Sequence, residues 1–551
     1  MKLLFLSTFF VFINSNKLLD AQSISIFETE KSKWLAREGG LLDGGYNPAS
    51  RVFAWFENST QTQHTSEIDA FIDDLVKIDT NDPNNSWFGG NRETGLLALQ
   101  LYQWKFHQLA PAQRARLWSP LQWLATDNYY WGVGWSNTAI NCVTVRYILA
   151  QLAPTKLVRY DDAPNEFGAQ NFTWEDRSYV RGEFYNALQL SHDWLLKWMD
   201  IYRTGGELHG EYFSETYSYH FANCLLTLAD SRMVSDSSLR VAAAATLSFL
   251  LFEFGLNTNT RHLAAPLGRT YMQQHLTGAY QFFYFNPYFG FMPEVHYGNS
   301  STPFVSSYRL PARISDFVRF QGQQEILSSV QNGRYIWSTA SCTLGSGPNG
   351  GNWMLQIVSN DHGPYPAARS GQPFRVWLNN NPRDLEPASC SGECYSEMGQ
   401  QGYQYRDAIL VDLPDCILHQ ALVATSWDQQ ENFNGWQFKV ENGAAVAIKI
   451  ESERSALECS RLGIDDADYQ AFKDAITTRS HLGNHSYLTR RGDLIENRNN
   501  RKFVNGQPFH ENLPRLEVIR AGQSYTFESI MSAPVRDLIA PAQPQNVKVN
   551  Q

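Results

Sequence analysis

The apolar residues of this chain change their spacing once, and that change limits what it can fold into. From about residue 66 to 256 they recur at intervals of three and four. The blocks are "SEIDAFIDDLVKI", "ETGLLALQLYQWKFHQLA", "NTAINCVTVRYILAQLA", "YNALQLSHDWLLKWMDIY", "YHFANCLLTLAD" and "SLRVAAAATLSFLLFEFGL". That period marks one face of a helix, and Ser66 and Ser237 read as capping residues. Helices joined by short loops form antiparallel hairpins. Residues 257–330 are loop-rich and aromatic. Beyond them the period falls to two, in "RYIWSTASCTLGS", "FRVWLNN", "AILVDLP", "GAAVAIKIES" and "RLEVIRAGQSYTFESI". Short alternating strands with Gly, Asn and Asp turns predict an antiparallel β-sandwich, interrupted by one helix, "DYQAFKDAITTR" (468–479). A chain of 551 residues exceeds one ordinary core. The expectation is a helical domain over 22–325 followed by an antiparallel β-sandwich over 326–545.

The first residues, "MKLLFLSTFFVFINSNKLLDAQS", place Lys2 before a run from Leu3 to Ile13. That run is shorter than the roughly 20 apolar residues a bilayer span requires. It reads as a secretory signal over 1–21, with small residues Ser15 and Ala21 as cleavage points. A secreted or periplasmic protein with no membrane span is expected. "VAAAATLSFLLFEFGL" (241–256) comes closest to a span, but it is short and broken by Glu253. The net charge of −10 argues against a nucleic-acid partner, and an acidic ligand would need local arginines. Asn58, Asn84, Asn171, Asn299 and Asn484 each begin a glycosylation sequon, which matters in a eukaryotic host. Cys142 and Cys224 sit in helical patterns and read as buried thiols. "CSGEC" (390–394) either closes a loop disulfide or holds two free thiols. No second cysteine pair or histidine pair has ligand spacing, so neither a metal nor a cofactor is expected.

The densest chemistry lies in "GELHGEYFSETYSYH" (206–220), which crowds glutamates, histidines and tyrosines onto what reads as a helix entry. A solvated face would not need the aromatics, and a core helix would not tolerate the carboxylates. Several stretches resemble elements of the (α/α)-toroid polysaccharide lyases, the group holding alginate, chondroitin, heparin and ulvan lyases. They are "GWSNTAIN" (134–141), "GEYFSETY" (210–217), "GRTY" (268–271), "YQYRDAILVDLP" and "SYLTRRGDLI". The resemblance implies an incomplete (α/α) toroid followed by a β-sandwich, acting on an anionic polysaccharide. One departure is Thr138, where the resemblance implies a histidine after Asn137.

Elimination from a uronate requires loss of the proton beside a carboxylate, whose charge must first be neutralised. A tyrosine or histidine then takes the proton, and a tyrosine can protonate the leaving oxygen. Asn137, Tyr217, His220, Arg269 and Tyr271 form such a set. Tyr217 and His220 are three apart and share a helix face, while Arg269 and Tyr271 are two apart on an expected loop. Glu211 is assigned to orient Arg269 or His220, and Trp131, Trp135 and His262 complete the expected substrate-binding residues. Each also has a plain structural reading: a cap for Asn137, an interior histidine for His220, core aromatics for the tyrosines.

Two other functions fit the same residues. Glu207, Glu211 and Glu215 are spaced by four, and an inverting glycoside hydrolase needs two carboxylates about 6.5–9.5 Å apart. Carboxylates on one helix face are closer than that, so a partner such as Asp193 would be required. Alternatively, "DNYYWGVGW" (127–135) and "QFFYFNPYFGF" (281–291) would serve as sugar-stacking platforms of a carbohydrate-binding protein without turnover.

Overall fold

A computed structural model describes residues 20–38, 48–76, 92–126, 136–160, 171–204 and 218–256, shorter runs between 258 and 463, and 465–499, 501–509 and 515–532. The main helices are α1 (Asp20–Glu38), α2 (Pro48–Glu57), α3 (Thr65–Leu75), α4 (Arg92–Lys105), α5 (Pro111–Thr126), α6 (Ser136–Ala150), α7 (Ala187–Thr204), α8 (Ser218–Ala229) and α9 (Ser237–Leu256). Their burial follows their sequence. In α3 only Ile68, Ile72 and Leu75 are buried, a single stripe at helical spacing. In α2 every residue from Ala49 to Phe56 but Arg51 is buried, and α6 and α8 are also enclosed on nearly all sides. A helix buried all round must lie inside: α2, α4, α6 and α8, the inner helices, are enclosed along most of their length, and α9 over Thr246–Leu256.

Side-chain contacts fix the helix directions. Gln100 on α4 donates to Asn223 and Thr227 on α8, both at 2.7 Å, and Trp104 one turn later donates to the Asp230 carbonyl past the end of α8. Asn141 on α6 meets His220 and Cys224 near the start of α8, while Gln151 past the end of α6 meets Ser235. Thus α4, α6 and α8 run the same way. The end of α2 joins them, because Glu57 takes the ammonium of Lys105 at the end of α4. The helices between run back: Arg240 at the start of α9 donates to the Ala229 carbonyl at the end of α8. Trp198, late in α7, packs on Phe221, early in α8. The inner helices therefore begin at one end of the layer, where α7 and α9 finish.

Two details differ from the sequence reading. Asp236, not Ser237, caps α9, its Oδ1 accepting from the Ser238 amide at 2.8 Å. Ser66 lies inside the first turn of α3 and donates to Glu67, with His64 preceding the helix. Residues 157–186, between two helical blocks, form two small antiparallel pairs, Leu157–Arg159 with Phe184–Asn186 and Asn171–Trp174 with Arg177–Val180. α9 has 20 residues, longer than the sequence suggested, and is apolar enough to cross a membrane by length and composition. It is mostly buried inside the protein, and its Glu253 is paired with Arg515.

The second half is antiparallel throughout its described ladders, in eight-, six- and five-stranded sheets. In the eight-stranded sheet the early strand Gln324–Ser328 pairs with the late strand Glu517–Arg520. Ile326, Ile336 and Val518 of that sheet join Leu225, Leu250 and Phe252 in one apolar core. Phe527 packs on Phe249 and Phe252. Arg515 donates to Glu253 and, at 2.8 Å, to the Tyr202 carbonyl, so this sheet rests against the finishing ends of α7 and α9. A second core lies between the six-stranded sheet, the smaller sheet and the helix Tyr469–Arg479, which Asp468 caps through the Ala471 amide. Two stretches named above, "YQYRDAILVDLP" and "SYLTRRGDLI", meet the strand Arg454–Arg461 in a buried charge cluster. Arg490 donates to Asp407 at 2.7 Å and to Glu458 at 2.5 Å, and Arg491 also reaches Asp407. The cluster is a structural clamp between strands and leaves no acid free for chemistry.

Candidate active site

α8 carries a polar stripe at helical spacing, His220, Asn223, Cys224 and Thr227, turned toward α4 and α6. At its beginning Asn141 Nδ2 lies 3.1 Å from His220 Nδ1, and the Cys224 thiol donates to Asn141 Oδ1 at 3.0 Å. His220 is buried, with its ring 3.9 Å from that of Tyr219. Buried polar groups of this kind are costly unless paired, and here each is paired across a helix interface. The pair sits where the inner helices begin, the end on which the eight-stranded sheet also rests.

Of the nine site residues read from the sequence, four lie among the described residues: Asn137, His220, His262 and Tyr271. Position 137 is on α6 one turn before Asn141, on the same helix face. α8 begins at Ser218, so Tyr217 immediately precedes it and is three residues from His220. His262 belongs to a strand pair, Thr258–Asn259 with His262–Leu263, that follows directly on α9. Tyr271 was expected on a loop, and the structure gives a short strand: Thr270–Tyr271 pairs with Ala368–Arg369 of the second half. Trp131, Trp135, Glu211, Tyr217 and Arg269 lie outside the described residues, as do Glu207, Glu215 and "CSGEC". Of the aromatic stretch 281–291, Tyr288 and Phe289 are described; both are buried in the core, which removes them as a sugar platform.

Asp193 has a different role from the one a hydrolase would need. It is fully buried and accepts from Arg177 Nε and the Tyr179 hydroxyl at 2.5 Å, from Gln189 at 2.8 Å and from His192 Nδ1 at 2.9 Å. Burial alone would raise its pKa, but the bonds from His192, Arg177, Tyr179 and Gln189 outweigh burial and hold the carboxyl at about 2. Such an acid stays ionised and fixed, so it cannot protonate a leaving group. It also lies toward the other end of the layer, since His192 reaches Asp236 before the first residue of α9.

Sequence reasoning missed Asn141, although it ends the quoted "GWSNTAIN" four residues after Asn137. The spacing was the available signal: 137 and 141 share a face, as do 220 and 224. Cys142 and Cys224 are buried thiols, as expected for helical patterns. No family model and no curated protein matches this chain.

Proposed function

We propose that the protein is an exported polysaccharide lyase that cleaves a uronate-containing chain by β-elimination. The helical half is read as an incomplete (α/α) toroid, with α2, α4, α6 and α8 inside and the alternate helices outside. The alternating directions and the all-round burial of the inner helices support that reading. The observation that carries the functional reading is the buried Asn141–His220 pair at the end where the inner helices begin, one helical turn from position 137.

In this scheme Asn137 and Arg269 neutralise the uronate carboxylate, which acidifies the neighbouring proton. Tyr217 takes that proton as a phenolate. The C–H electron pair becomes the C4=C5 double bond, the C4–O bond breaks, and the leaving oxygen recovers a proton from the tyrosine. Tyr271, His262, Trp131 and Trp135 hold the sugar, and Glu211 orients its neighbours. The hydrolase alternative loses its partner acid, because Asp193 is committed to Arg177 and His192. The test is a panel of anionic polysaccharides incubated with the purified protein and followed by ultraviolet absorbance. A new absorbance from the unsaturated product supports elimination, and reducing ends without it would assign a hydrolase.

A further inference from the structure

We propose that Asn434 is a site of spontaneous deamidation, in which the Gly435 nitrogen displaces the Asn434 side-chain nitrogen as ammonia and water then opens the ring to an aspartyl or isoaspartyl residue. The modification is independent of any action on a polysaccharide, and a second hairpin of the same chain is its internal control.

Two Asn-Gly pairs lie among the described residues, and each is the whole of a two-residue hairpin loop. Asn434-Gly435 joins Gln429–Phe433 to Trp436–Glu441, with Phe433 opposite Trp436. Asn505-Gly506 joins Arg501–Val504 to Gln507–Pro508, with Val504 opposite Gln507. The backbones match: φ is +51° and +77° in the first loop, and +51° and +78° in the second. Positive φ at both positions defines the tight hairpin loop that Asn-Gly favours. A Cβ at Gly435 would meet nothing closer than Lys449 Cε at 3.9 Å, and one at Gly506 nothing within 4 Å, so both glycines lie in open surroundings. All four loop residues are exposed.

The side chains differ. Asn505 Oδ1 accepts from the Leu494 amide at 2.8 Å, and its Nδ2 donates to Asp493 Oδ1 at 3.0 Å. Among the described residues no hydrogen bond holds the Asn434 side chain. Ring closure needs Cγ of the asparagine to turn onto the glycine nitrogen, which has lost its proton to hydroxide. Glycine carries no side chain to obstruct that approach. The N–Cγ bond forms as the carbonyl pair moves to oxygen. That pair then returns, the Cγ–Nδ2 bond breaks, and ammonia leaves with a proton from water. Water next adds to a ring carbonyl: opening at Cγ gives aspartate, and opening at the backbone carbonyl gives isoaspartate. Asn505 must break two hydrogen bonds before its Cγ can move, which slows it by roughly tenfold or more. Isoaspartate at 434 would lengthen the loop beside the edge strand of the six-stranded sheet, where Tyr469 and Lys473 hold Glu431.

The test is peptide mapping by mass spectrometry of the intact protein held at mildly alkaline pH, beside the same chain unfolded in guanidinium. In the unfolded chain both pairs should convert at comparable rates, since each is Asn-Gly without its hydrogen bonds. In the folded protein Asn434 should give aspartyl and isoaspartyl products at least roughly tenfold faster than Asn505. Equal folded-state rates at the two sites, or an intact Asn434 in folded protein while the unfolded chain converts, would overturn the proposal. Asp493→Ala removes the acceptor of Asn505 Nδ2, and conversion at Asn505 should then rise toward that at Asn434. An unchanged Asn505 rate in folded Asp493→Ala protein would overturn the hydrogen bonds as the source of selectivity. If that variant does not fold, the wild-type comparison of the two loops still decides the site.

Discussion

Tyr217 is the residue on which the proposed chemistry turns. Tyr217→Phe keeps the ring and removes only the hydroxyl, so the fold should survive. General acid–base groups contribute about 10²–10⁴-fold, and turnover should drop by that order with KM nearly constant. Near-full activity in a folded Tyr217→Phe protein would defeat the assignment. At this scale the sequence is informative where residues are neighbours on a helix: 137 with 141 and 220 with 224 follow from spacing. Asp193 shows the other case. Nothing local to "LSHDWLL" announces that Arg177 and Tyr179 arrive from a strand 14–16 residues earlier to lock its carboxylate. The Cys224 thiol that donates to Asn141 likewise comes from another helix, 83 residues on.

His192 couples two elements, donating from Nδ1 to Asp193 on its own helix and from Nε2 to Asp236 at the cap of α9. Burial lowers its pKa, but the bonds to the two carboxylates outweigh burial and raise it above the ordinary value of 6.5. A pKa raised on folding contributes stability that is complete below the unfolded value and lost as pH rises through the folded one. Denaturant midpoints of the wild type should therefore decline as pH rises above the ordinary histidine value of 6.5. In His192→Gln that decline should disappear; an equal decline in both proteins would remove His192 from the account. The cap makes a separate prediction. Asp236→Ala should cost about 0.5–2 kcal/mol, while Ser237→Ala should stay within about 0.5 kcal/mol. Equal losses would restore Ser237 as the cap. The helices were legible because their apolar spacing is local, and so was the Tyr469–Arg479 helix behind its Asp468 cap. The short strand pairs of 157–186 were not, since strands of three or four residues carry too few positions to show a period.

Across the whole molecule, the helical and antiparallel halves share one apolar core and are bridged by Arg515, whose guanidinium meets the buried Glu253 and the Tyr202 carbonyl. Removing one partner of a buried pair leaves an uncompensated charge, so Arg515→Ala should destabilise by about 3–5 kcal/mol. Glu253→Gln in the same chain should recover part of that loss; a cost below about 1 kcal/mol would place the pair among surface contacts. The order of helices before strands was readable from the change of period, but the sharing of a core was not, because it joins Ile326 and Val518 across almost two hundred residues of chain. The same sheet rests on the end of the helical layer where His220 is held, and that placement motivates the central claim of β-elimination at that end. The most direct measurement compares two products of one digestion: new reducing ends, and unsaturated ends read by ultraviolet absorbance. Elimination creates one unsaturated end with every reducing end, so the account expects equal amounts from a uronate polymer. Reducing ends that accumulate without unsaturation would contradict it.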